Sequence, residues 1–188
     1  VRWGLDYSYL IPRGHQSPPL AFFENGVLVG EPLKNNRATY WDHRLVGQRL
    51  AEKAIAFLDR HVEQNKADGA ERPFFMQFCT DGAHGPYAPA DKLLGTPLKG
   101  VTKMTAHTDM VYETDILLGK VMAALAERGL LADTLVIYTS DNGGLPYERS
   151  FGHDAVGGLR GRKSFIFDGG HRVPLVARWG DSTSRTWK

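Results

Sequence analysis

Cysteine is almost missing from this chain. A single thiol, Cys79, in 188 residues excludes an internal disulfide and a cysteine-built metal cluster. No apolar run approaches the roughly 20 residues that a membrane-spanning helix needs. A charge excess is missing too. The 23 Lys and Arg stand against 21 Asp and Glu, a formal net charge of +2 with His neutral. That balance argues for neither a nucleic-acid partner nor a membrane surface. The chain has no internal repeat and no low-complexity tract. No secretory leader is legible. The chain opens on Val1, so an upstream segment is expected, and the lack of a leader excludes no compartment.

What is present is ordinary in bulk and uneven in detail. A hydrophobic content of 42% over 188 residues suffices for one domain with a real core. The 21 glycines and 10 prolines gather in residues 12–32, 82–100 and 143–170. Long loops of that kind carry function when they are ordered.

Periodicity predicts the elements. Glu24-Asn25-Gly26-Val27 is a hairpin signal, pairing residues 21–23 with 27–29. Residues 44–63 repeat apolar side chains at helical spacing through Leu45, Ala51, Ile55, Leu58 and Val62. Residues 74–78 are short and apolar, the pattern of a strand covered on both faces. Residues 102–129 form the longest helical pattern, closed by Gly129, and residues 134–139 form the next strand. A strand, a long helix and a strand in that order predict a right-handed parallel crossover. A last strand is expected over residues 173–178, at an edge because of Pro174. The expected class is therefore α/β, a mostly parallel or mixed sheet flanked by helices.

Four residues stand out chemically, each with a plainer reading beside it. Asp141 and Asn142, in Ser140-Asp141-Asn142-Gly143-Gly144, follow the strand at 134–139. The carboxyl ends of strands are where open α/β sheets bind ligands. A carboxylate and an amide oxygen are hard ligands for Ca²⁺ or Mg²⁺, although the same four residues also make a good turn. His84, in Ala83-His84-Gly85-Pro86, follows the strand at 74–78 and has a side chain suited to proton donation. A structural hydrogen bond in the loop is its alternative. Lys163, in Leu159-Arg160-Gly161-Arg162-Lys163, offers a point charge to an oxyanion, or is a solvated loop lysine. Cys79 reads as a small buried hydrophobe rather than a nucleophile. His107, Asp109, Glu113 and Asp115 read as helix surface and packing.

Taken in order, these segments resemble the sulfatase family of the alkaline-phosphatase-like superfamily. The resemblance rests on Pro73-Phe74-Phe75-Met76-Gln77-Phe78 with Ala83-His84-Gly85-Pro86, and on residues 111–144 ending in Ser140-Asp141-Asn142-Gly143-Gly144. It continues through residues 158–163 and Phe167-Asp168-Gly169-Gly170-His171-Arg172-Val173-Pro174, and reaches back to Gly4-Leu5-Asp6-Tyr7. It covers nearly the whole chain. It implies the central to C-terminal portion, residues 1–188, of a single sulfatase catalytic domain whose N-terminal part is absent. It implies hydrolysis of a sulfate monoester, of a small molecule or a carbohydrate, with no nucleic-acid partner.

By the same resemblance, Asp141 and Asn142 are two ligands of one divalent cation, Ca²⁺ in most of the family. His84 and Lys163 bind the sulfate group and assist the leaving oxygen. Arg160 and Arg172 take structural or neighbouring roles. The family's nucleophile, a formylglycine made from Cys or Ser followed by X-Pro-X-Arg, has no counterpart in these residues. Cys79 cannot stand in, because Asp81 and Ala83 occupy the proline and arginine places. Pro12-Arg13-Gly14-His15 lies where some members carry a serine and a histidine near the sulfate, with Gly14 in the serine's place; Arg162 stands where a second glycine is common, and Asp168 where glutamate is common. The fragment alone is expected to be inactive. The resemblance implies an exported protein, periplasmic or secreted. Two other readings stay open: a phosphatase or phosphodiesterase of the same superfamily, and a catalytically dead binding protein.

Overall fold

A computed structural model of the chain describes residues 4–30, 35, 37 and 41–180. The chain divides into two compact units, Val1–Val121 and Met122–Lys188.

The first unit opens with a three-stranded antiparallel sheet, β1 (Tyr9–Leu10), β2 (Phe23–Glu24) and β3 (Val27–Leu28). The hairpin stands where the asparagine–glycine pair predicts it. Asn25 and Gly26 take φ of 51° and 83°, both left-handed, as the tight turn requires. Phe22 is buried behind the sheet, with its ring 5.1 Å from those of Tyr9 and Trp41. Helix α1 (Val46–Asp68) follows, longer than its predicted span. Its buried residues Val46, Ala51, Ala54 and Leu58 recur at three to five positions, one apolar face. Gly69, at φ 60°, ends it.

A two-stranded hairpin, β4 (Lys92–Leu93) with β5 (Thr96–Pro97), sends Leu93 and Leu98 into a cluster with Ala51, Ile116 and Leu117. The last two come from helix α2 (Ala106–Glu127), which ends at Gly129 as expected. Asp109, read with its neighbours as helix surface and packing, is buried near the start of α2. It accepts hydrogen bonds from Gly100 N (2.6 Å), Thr102 N (3.1 Å) and Thr102 Oγ1 (2.7 Å). Burial alone would raise its pKa, but these donors hold it below the ordinary carboxylate value.

The second unit is built on β6 (Leu135–Thr139) and β7 (Leu175–Trp179), with the short helix α3 (Asp168–His171) between them. The two strands pair antiparallel over five residues, from Leu135 with Trp179 to Thr139 with Leu175.

The expected mostly parallel or mixed sheet is not what forms. Every pairing between the strands β1 to β7 is antiparallel and their sheets have two or three strands, the one parallel contact among the described residues being an isolated bridge of Leu20 with Arg37; the architecture is α/β with small antiparallel sheets. Two causes are visible. Residues 74–78 join no sheet, and they alternate between half-buried and exposed, with Phe75 75% exposed. An apolar run states that a segment can be buried, but not which strand it will find beside it. In addition, β6 returns to β7 through loops and two short helical turns, Arg149–Phe151 and α3, rather than a crossover helix. That connection brings the chain back in the opposite direction. Cys79, expected to be buried, is exposed, with Gln77 Nε2 3.6 Å from its sulfur.

Candidate functional site

In the second unit, three loops are laid against one another by glycines. Gly143 N donates to Gly170 O (2.9 Å), Gly169 N to Arg160 O (2.8 Å) and Lys163 N to Gly144 O (3.3 Å). A methyl group on Gly143 would stand 1.8 Å from Gly169 O, and one on Gly170 would stand 2.0 Å from Phe165 O. Only glycine lets the backbones approach this closely. Loop 141–144 is thereby fixed between residues 160–163 and 169–170. The cation of Arg160 lies 3.7 Å over the Phe167 ring, and Arg172 faces Asp168 at 3.6 Å, so both serve the loops.

Asp141 and Asn142 stand immediately after β6. Ser140 Oγ donates to Asn142 O (3.0 Å) and Thr139 Oγ1 to Pro174 O (3.0 Å), which shape the turn. The side chains of Asp141 and Asn142 have no hydrogen-bond or ion-pair partner among the described residues. Asp141 is exposed and Asn142 half-buried. Two unpaired oxygen donors held by a rigid turn suit a hard cation, which takes six or more oxygens. They are part of a ligand set. Among the described residues no group of three or more His, Cys, Asp or Glu is placed to hold a metal. Lys163 is half-buried and has no acidic partner among the described residues, while its backbone is tied to Gly144. The structure therefore brings Asp141, Asn142 and Lys163 into one loop cluster.

His84 belongs to the first unit. It is exposed, and its Nδ1 lies 2.9 Å from Gly85 O. A carbonyl can only accept, so Nδ1 carries the hydrogen and Nε2 is the atom free to exchange a proton. His84 N donates to Asp81 O (3.1 Å), closing a turn in which Ala83 is held at φ 70°.

Behind this turn lies a cluster of which the sequence pointed only to His15. His15 (3% exposed) places Nε2 3.1 Å from His84 O and Nδ1 3.6 Å from Asp81 Oδ2. Asp81 Oδ1 and Glu113 Oε1 both crowd Gly47, at 3.3 Å and 1.9 Å from the point where its Cβ would stand. Burial pushes the Asp81 carboxyl up to about 6. Burial, then the charge of Asp81, pushes Glu113 up to about 8. Burial pushes His15 down, with His43 and His84 adding to it. One signal for Glu113 was available: it sits three and four positions from Met110, Ile116 and Leu117, on the buried face of α2.

Comparison with known proteins gives a consistent result. The family model for sulfatases matches residues 22–186. An N-acetylgalactosamine-6-sulfatase of Rattus norvegicus is 32% identical over 191 residues, covering 95% of this chain and 34% of the relative. An N-acetylgalactosamine-6-O-sulfatase of Bacteroides thetaiotaomicron is 26% identical, covering 89% and 34%. The chain thus spans about a third of the length of these curated relatives. A solved structure from work on glycosaminoglycan metabolism by Bacteroides thetaiotaomicron shares the fold. Its TM-score is 0.79 at 22% identity, over 94% of this chain and 45% of that one. A sulfatase structure from Pseudoalteromonas matches with a TM-score of 0.56 at 28% identity, over 80% and 27%.

Proposed function

Because this chain belongs to the sulfatase family, we propose that the protein carrying it hydrolyses a sulfate monoester. The observation that carries the assignment of roles is the loop cluster of the second unit. There two oxygen donors and an ammonium, all without a partner among the described residues, share one glycine-packed support.

Asp141 and Asn142 hold a divalent cation, Ca²⁺ by family, together with ligands from outside the described residues. When bound, that ion polarises the sulfate oxygens as a Lewis acid. The nucleophile, a formylglycine by family, is supplied from outside these 188 residues. Lys163 brings positive charge to the sulfate and to the leaving oxygen, where charge develops as the S–O bond breaks. Its backbone tie to Gly144 limits where that charge can go. His84 binds the sulfate and holds a proton on Nε2 for the departing alcohol or phenol. Its Nδ1 hydrogen bond to Gly85 O fixes which nitrogen does so. Export from the cytoplasm belongs to the same reading.

The test is sulfate release by the native protein and by D141A, N142A, K163M and H84A variants. The reading expects each variant to fold and to lose activity. D141A and N142A should also need more added Ca²⁺ to reach half-maximal rate. Full activity in all four would refute it.

A further inference from the structure

His84 sits on a turn with unusual backbone geometry. Ala83 is held at φ 70°, a conformation that an L-residue avoids and that persists only where the surroundings enforce it. Two contacts do so. On one side Gly82 lies flat against α2, where a methyl group would stand 2.2 Å from Thr114 Cγ2 and 2.8 Å from Met110 O. On the other side stands His15, whose Nε2 is 3.1 Å from the carbonyl oxygen of His84.

The chemistry of that contact fixes a proton. A carbonyl oxygen only accepts, so His15 Nε2 must donate. Its other nitrogen faces Asp81 Oδ2 at 3.6 Å. Neither carboxylate oxygen of Asp81 has a hydrogen-bond partner, and neither does His15 Nδ1. Both side chains are more than nine-tenths buried. Two unpartnered acceptors facing each other away from water would be costly, whereas one proton between them satisfies both. A single shared proton, on Nδ1 or on Oδ2, joins the pair. Either form leaves Nε2 as donor to His84. His43 and His84 border the same ring, at centroid distances of 5.7 Å each, so His15 has little room to turn.

We infer that His15 and Asp81 are positioning residues for His84, an arm of fixed tautomer that holds its backbone carbonyl and so aims its imidazole. Neither touches the reacting atoms. The inference rests on the assignment of His84 as proton donor, and the experiment separates the two.

The native full-length protein and its H84A, H15L, H15Q and D81N variants are assayed with 4-nitrophenyl sulfate, with kcat and KM determined separately and folding checked by thermal unfolding. H84A is expected to lower kcat by about 100-fold or more, the usual scale for a lost general acid. H15L is expected to lower kcat about tenfold, with KM within about twofold, because misplacing a catalytic group costs rate rather than binding. The amide nitrogen of H15Q reaches the same carbonyl, so kcat is expected to stay within about threefold of the parent protein. D81N still donates to Nδ1 and is expected to behave as H15Q does. An unchanged kcat in H15L overturns the positioning role while leaving His84 in place. So does a loss in H15Q or D81N as deep as in H15L, which would mark a packing role alone. An unchanged kcat in H84A overturns the assignment of His84 itself, and the positioning role with it.

Discussion

Lys163 has a half-buried stem, a backbone tied to Gly144 and an ammonium with no acidic partner among the described residues. K163M keeps the length and apolar packing of the stem and removes the charge. It is expected to lower kcat by about 10²-fold or more with no change in unfolding temperature, measured on the native protein. Glu113 makes a different kind of prediction. Its raised pKa means that its contribution to stability is full below its ordinary value of 4.5 and is lost as pH rises through about 8. Between pH 7 and pH 9 the protein is therefore expected to lose about 1 kcal/mol of stability, and E113Q is expected to remove that slope. Denaturant unfolding at both pH values measures it; an equal slope in E113Q would contradict it. These residues differed in legibility. Asp141 and Asn142 could be read because they follow an apolar run directly. The pairing of Asp81 with Glu113 could not, because packing of loop 81–82 on α2 creates it.

Among the elements, the glycine-rich loops respond most sharply to substitution. A Cβ at Gly170 meets the carbonyl oxygens of Phe165 and Arg162 at 2.0 Å and 2.8 Å, both backbone atoms that cannot swing aside. G170A is expected to destabilise the protein by about 2 to 4 kcal/mol. At Gly152 an added Cβ meets nothing within 4 Å and only the φ of 78° opposes it, so G152A should cost about 1 kcal/mol. Chemical denaturation separates the two, and equal costs would show that close approach is not what selects glycine at position 170. The elements themselves were partly legible. The hairpin turn at Asn25-Gly26, the buried face of α1 and the end of α2 at Gly129 follow from local rules. Sheet topology did not follow. Hydrophobicity reports that residues 74–78 and 135–139 can be buried, whereas direction and pairing depend on connections and on neighbouring strands.

At the scale of the whole molecule, the chain carries a third of the length of the relatives it matches and four of the side chains assigned to the reaction. The purified 188-residue chain is expected to release no sulfate, and metal-dependent turnover by it would contradict the division of labour proposed above. The family could be read from the order of short motifs along the sequence, because that order survives where sheet pairing is illegible. The most direct measurement on the central claim is product analysis with the native protein. It is offered matched sulfate and phosphate monoesters of one phenol, with chelator and then with added Ca²⁺. The account predicts sulfate release that the chelator abolishes and Ca²⁺ restores, with phosphate release far slower. Phosphate release that outpaces sulfate, or sulfate release indifferent to the chelator, would contradict it.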